Sequence, residues 1–398
     1  MANQNSLPVN QLSNGVTQAR DSKNTGLAVS KTYSAEMQDQ LRIDSMTQSG
    51  SEDKKKRFSS IDTLKFFANF SIIFSHTQPY FTDLFKILTG TSLFLAYMVY
   101  DICRLALPVF FLSSGYFFAK SVAKGKPIGF LYFRAFQKIS FLFIIWALVY
   151  FAFKTDFTSL VKTATEYGWL KSVYWRALHL WDEPLKLLLT GTNYHLWFLP
   201  ALLIALTLVV LIVVAGKQRY LIYVVMTSYL LKLFLKPHVD EIFFMNVKYE
   251  TLFGISKATA FVSLGWLIGQ KNKIEKILML KLVSAGILLI IIQNIFTWVS
   301  NINLGNQVLV GILPLSVGGM FWALQHPSWA RNWPMQIFGQ YTLGIYCMHP
   351  LLLDLIRKLA GYWRPEMWNF IFPVMVYAAS LSLTLFLRRN SYTKVLIS

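Results

Sequence analysis

Two stretches of this chain, FLPALLIALTLVVLIVVA (198–215) and LVSAGILLIIIQNIFTWV (282–299), run for eighteen residues without a charge. An apolar run of that length, coiled as a helix, is long enough to cross the hydrocarbon core of a bilayer. No other feature narrows the fold as far, and composition points the same way. Of 398 residues, 55% are hydrophobic and 14% charged, against about 25% charged in a soluble domain. The mean hydropathy is +0.44.

Apolar runs divided by polar punctuation give ten spans, near 58–81, 100–119, 130–153, 194–215, 219–235, 251–270, 280–299, 307–325, 337–356 and 367–387. The expectation is an all-α polytopic membrane protein with about ten transmembrane helices and both termini cytoplasmic. Residues 1–57 are rich in Ser, Asn, Gln and Thr and end in KKKR (54–57). They read as a disordered cytoplasmic tail whose basic end holds the N-terminus inside. Lys120, Lys124, Lys126, Lys217, Arg219, Lys271, Lys273, Lys276 and Arg331 then fall in cytoplasmic loops, and 388–398 forms a short basic cytoplasmic tail. Arg357, Lys358 and Arg364 run against this pattern, in a loop that would lie outside. The segment 154–193 is too polar to span and reads as an external interfacial stretch. The formal charge of +19 is scattered among helix ends, which suits acidic lipid headgroups and excludes a nucleic-acid patch. Cys103 and Cys347 sit in apolar runs and imply neither a disulfide framework nor a metal site.

The first span is not uniformly apolar. IDTLKFFANFSIIFSH (61–76) carries Asp62, Lys65, Asn69 and His76. A charge at mid-membrane costs about 2.5–3.5 kcal/mol on insertion scales and marks function more often than packing. Lys65 and His76 are 11 residues apart, which at about 100° per residue returns nearly to the same face, about 16 Å further along. Asp62 and Asn69 share that face. The stripe therefore faces the interior and links the inner side to the external half. Two later spans add histidines at similar depth, His195 in NYHLWFLP (193–200) and His349 in FGQYTLGIYCMHPLLL (338–353). One histidine at a helix end is usually structural; three of the chain's six at one level suggest a site.

These residues resemble the acyltransferase 3 family of integral-membrane O-acyltransferases, most of all its surface-polysaccharide branch. The family's first helix carries Asp, then Arg or Lys, then His, as Asp62, Lys65 and His76 do. Its second carries Pro, an aromatic pair and Ser-Gly-Tyr, matched by Pro108, Phe110, Phe111, Ser114, Gly115 and Tyr116. HLWFL (195–199) and GIYCMHP (344–350) match two later helices in order. Two positions depart from the pattern. Lys65 stands where most members have Arg, so a bidentate grip is lost. Arg134 and Lys138 replace an Arg-x-x-Arg pair.

The resemblance implies a cytoplasmic acyl-CoA donor, acetyl-CoA in the first instance, with no tightly bound cofactor and no metal. It implies an envelope glycan or lipid-linked sugar as acceptor and a bacterial cytoplasmic membrane as location. His76 is then the expected general base, on the same helix as Lys65 and Asp62. Lys65, Arg134 and Lys138 are expected to hold CoA phosphates. Asn69, Ser114 and Tyr116 are candidate oxyanion donors, and His195 and His349 complete the substrate site. A proton-coupled transporter or glycan flippase is the rival reading, since buried charges suit carriers equally well.

Overall fold

A computed structural model describes residues 58–77, 90–152, 174, 177–178, 183–235, 249–271, 273–300, 310–357 and 365–397. The expected tail over 1–57 and most of the expected interfacial segment lie outside these. Phe58–Ser398 forms one compact unit, all-helical among its described residues. Its helices are α1 (Ser59–His76), α2 (Gly90–Cys103), α3 (Ala106–Ala123), α4 (Ile128–Ala152), α5 (Pro184–Thr190), α6 (Phe198–Val214) and α7 (Leu221–Leu235). They are followed by α8 (Tyr249–Gln270), α9 (Lys276–Val299), α10 (Ile312–Gln325), α11 (Pro334–Phe338), α12 (Thr342–Arg357) and α13 (Pro365–Arg389).

Each of the ten apolar runs contains a helix, with local differences at the ends. The second run continues back through α2 and a turn at Arg104–Leu105, with Pro108 in the first turn of α3, where its missing N–H costs little. The fourth starts at Phe198, because residues 191–197 form turns that bring His195 inward. The ninth divides into α11 and α12 at a turn around Gly339, where a side chain would collide with the Asp62 carbonyl of α1. Five described helical stretches are long and apolar enough to cross a membrane, and α6 and α10 are shorter apolar helices. The chain is a multi-pass membrane protein.

Contacts at the helix ends fall into two groups. At one end, Ser60 donates to the Ala323 carbonyl, Lys120 to Lys271, Gln325 to Ile274 and Arg388 to the Tyr341 hydroxyl at 2.5 Å. This is the basic end. At the other, Tyr229 donates to the Val310 carbonyl and Asn294 to the Asp101 carboxylate at 2.9 Å, with Arg104 a further 3.3 Å partner of Asp101. The Asp101–Arg104 pair thus joins α2 to α9 rather than standing alone. At this end Arg357 lies in the last turn of α12, 4.0 Å from Asp354. A cation there is favoured by the helix dipole and a neighbouring acid, which accounts for one of the charges that ran against the loop pattern.

The tightest helix pair is α3 against α8. A Cβ on Gly115 would strike the Val262 carbonyl, and one on Gly265 would strike the Leu112 carbonyl. Each glycine seats directly on the partner's backbone, the small-residue contact that holds helices together in lipid. This fixes α3, whose other face borders the site. Gly265→Leu is expected to force α8 off α3 at a cost of about 1–3 kcal/mol or more. Thermal unfolding in detergent should show a midpoint lowered by several degrees, and an unchanged midpoint would contradict this packing.

Candidate active site

Three elements deliver the histidines. His76 closes α1, His195 lies in the turn entering α6, and His349 sits in the middle of α12. The His76 ring stacks on His349 at 5.3 Å and 24°. The His195 ring meets His349 edge-on at 5.5 Å and 72°. His349 is therefore the central member. It is fully buried and His195 is 2% exposed, whereas His76 is half-buried.

The dipeptide His349–Pro350 explains how the central ring is held. In an uninterrupted helix the N–H at position 350 would bond the carbonyl four residues earlier, that of Tyr346. Proline has no N–H, and the vacated carbonyl takes His349 Nδ1 at 2.6 Å. A carbonyl only accepts, so Nδ1 carries the proton. In the neutral ring Nε2 is then an acceptor. That Nε2 is buried without a hydrogen-bond partner, as are both ring nitrogens of His195. An unpaired buried polar atom costs about 1–3 kcal/mol. Three in one cluster mark a place shaped for a guest rather than for stability.

Tyrosines frame the cluster. The Tyr346 hydroxyl donates to the His195 carbonyl, and its ring lies 5.6 Å from both His195 and His349. The Tyr150 hydroxyl donates to the Cys347 carbonyl at 2.7 Å, with its ring 4.9 Å from His195. Tyr194 sits edge-on to His76 at 5.1 Å. Neither Tyr150 nor Tyr346 stands out in sequence, since an aromatic in an apolar helix reads as packing. The signal that was present is the proline directly after His349.

A cavity of about 460 Å³ on the side of the basic end is bounded by Tyr346, whose ring packs on His195 and His349. Lys65 of α1 and Lys138 of α4 lie on its wall, together with Ser114, Phe198, Thr342 and Tyr346. Tyr346 is shared: it closes the cavity on one side and touches two histidines on the other. The volume is that of an ordinary small-molecule site. Lys65 Nζ also lies 4.9 Å from the Phe117 ring centre.

Other residues singled out in sequence take different places. Arg134 is exposed over the Phe130 ring at 5.5 Å and is absent from the cavity wall. Asn69 is fully buried, its amide donating to the Thr342 carbonyl at 3.3 Å, so it pins α1 to α12. Tyr116 is 5% exposed and packs against Phe58 and Phe117, off the cavity. Ser114 lines the cavity while donating to the Phe110 carbonyl at 2.8 Å. Asp62 is buried at the start of α1, well short of the histidines. Among the described residues, no group of three or more His, Cys, Asp or Glu is arranged to hold a metal ion.

A family model described as an acyltransferase domain, that of the acyltransferase 3 family, matches residues 58–388. No curated protein and no solved structure matches the chain. The matched span contains every site residue described above.

Tyr346→Phe removes one hydroxyl and leaves the His195 carbonyl without that donor. The expected cost is about 1–3 kcal/mol, read as a lower unfolding midpoint in detergent. A variant as stable as the parent would contradict the bond.

Proposed function

This chain belongs to the acyltransferase 3 family, and on that premise we propose that it is a membrane-bound O-acyltransferase of the bacterial cytoplasmic membrane. It moves an acyl group, acetyl in the first instance, from cytoplasmic acyl-CoA to a hydroxyl of a cell-surface polysaccharide or lipid-linked sugar. The observation that carries this reading is the position of Tyr346, which bounds a cavity with two lysines on its wall and packs on two of the three clustered histidines.

In this reading ten helices cross the membrane, both termini are cytoplasmic, and the basic end faces the cytoplasm. CoA enters there, its phosphates drawn to Lys65 and Lys138. Arg134 supplies attraction from outside the cavity. The pantetheine arm extends along α1, whose face between Lys65 and His76 spans about 16 Å, and brings the thioester to the Tyr346 wall. The acceptor arrives from the external side. Its hydroxyl oxygen attacks the thioester carbonyl carbon, and the carbon–sulfur bond breaks. The hydroxyl proton passes to His76, and the departing CoA thiolate recovers a proton.

His76 suits the role of base because it is the half-buried member of the three, open enough to meet an incoming sugar. Ser114 is the oxyanion donor of this proposal, exchanging its bond to Phe110 for one to the developing charge. Asn69 and Tyr116 support it by holding α1 and α3 in place, and Asp62 anchors the start of α1.

The test compares envelope glycans by mass spectrometry in a deletion strain complemented with the parent chain or with His76→Ala, at matched protein levels. The parent is expected to restore an acyl mass increment on an otherwise normal glycan. The variant is expected to fall by about 100-fold or more, within the usual range for general-base loss. Restoration by both would remove His76 from the chemistry. A deletion that abolishes the glycan itself would favour transport over transfer.

A further inference from the structure

The histidine cluster holds more base nitrogens than one proton transfer needs, and two of its members have no part in the mechanism above. We propose that His349 and His195 form the acceptor's hydroxyl-binding site, with His349 Nε2 accepting the hydrogen bond of a sugar hydroxyl adjacent to the one that gives its proton to His76. This rests on the reading of the chain as an acyltransferase and assigns the acceptor half of its site.

What each nitrogen is able to donate or accept defines the guest. Pro350 leaves the Tyr346 carbonyl open, and His349 Nδ1 is committed to it at 2.6 Å. Nε2 therefore only accepts, and it is buried and unpartnered. His195, edge-on at 5.5 Å, has both ring nitrogens buried and unpartnered. In its neutral form it offers one N–H and one lone pair. A guest that satisfies both rings must donate to His349 and is able to accept from His195. A hydroxyl does both. A carbonyl, carboxylate or phosphate oxygen only accepts and leaves His349 unmet, so the acyl donor's thioester does not belong here. An ammonium donates but has nothing to accept with. Among guests that donate and accept through a single oxygen, the chemical class is an alcohol hydroxyl or water, and the stacked His76 ring, 5.3 Å from His349, lies beside the same guest.

The arrangement also separates the two substrates. Donor chemistry lies along the cavity on one side of Tyr346, and the hydroxyl site lies on the other. Tyr346 serves both, through its ring on the cavity wall and its carbonyl on His349.

The experiment uses the full chain in native membrane vesicles, with radiolabelled acetyl-CoA as donor and the endogenous envelope glycan as acceptor. Glycan-free proteoliposomes report acetate release to water. His349→Asn keeps an amide N–H able to reach the Tyr346 carbonyl but removes the acceptor at the ε position. It is expected to lower transfer to glycan at least tenfold while the KM for acetyl-CoA stays within twofold. Pro350→Ala retains His349 but returns an N–H to compete for the Tyr346 carbonyl. Alanine is the better helix former, so this variant should melt no lower than the parent, yet transfer more slowly by severalfold.

Transfer at the parental rate in both variants overturns the proposal. So does a parallel fall in acetate release and glycan transfer, which would put water, rather than the glycan hydroxyl, at His349. If His349→Asn fails to fold, Pro350→Ala decides alone: slower transfer supports the proposal and an unchanged rate overturns it. Failure of the parent chain itself to acylate glycan would instead remove the acyltransferase reading on which the proposal rests.

Discussion

A bilayer interior offers a polar side chain no solvent, so the polar face of α1 has to be buried in protein. The rest of the bundle is arranged around that requirement. Helices α2, α3, α10, α11, α12 and α13 all pack on α1, and two of them answer its polar side chains directly. Ser60 is answered by the Ala323 carbonyl of α10 and Asn69 by the Thr342 carbonyl of α12. Near its basic end, α1 makes backbone contact with the turn at Gly339. His76, at the far end, is answered by another histidine rather than by a backbone group. A helix that is expensive to insert has become the axis of the fold.

Two absences of atoms create most of the site. Glycine at 115 and 265 lacks the Cβ that would hold α3 and α8 apart, which fixes one side of the cavity. Proline at 350 lacks the N–H that would occupy the Tyr346 carbonyl, and that vacancy selects the proton position on His349. Neither residue touches the chemistry, yet each decides where a reacting group is held. Tyr346 then ties the turn carrying His195 to α12, and the buried Tyr150 ties α4 to the same helix.

Much of this was legible before any coordinates. Apolar length placed a described helix in each expected run, and the 11-residue interval from Lys65 to His76 announced a one-sided polar helix. The common depth of His76, His195 and His349 foretold their meeting. What stayed hidden has physical causes. Arg134 and Lys138 were expected to act together because i,i+4 residues share a face. But the basic half of α4 is exposed on most sides, and Arg134 settles over Phe130 while Lys138 reaches the cavity. Tyr116 and Asn69 carry groups that suit chemistry equally well as packing, and here they pack. Tyr346 was invisible as a shared wall, since nothing in a run of apolar residues shows which aromatic faces two sites at once.

If the lysines and the histidines serve one reaction, a single continuous path joins the basic end to the histidine cluster. The direct measurement is a cryo-EM map of the full chain in lipid nanodiscs with a non-transferable thioether analogue of acetyl-CoA. The expected density has the pantetheine arm in the cavity between α1, α3 and α4, phosphates beside Lys65 and Lys138, and the acyl end against Tyr346. A CoA analogue bound outside this cavity, or with its acyl end turned away from the histidines, would contradict the account.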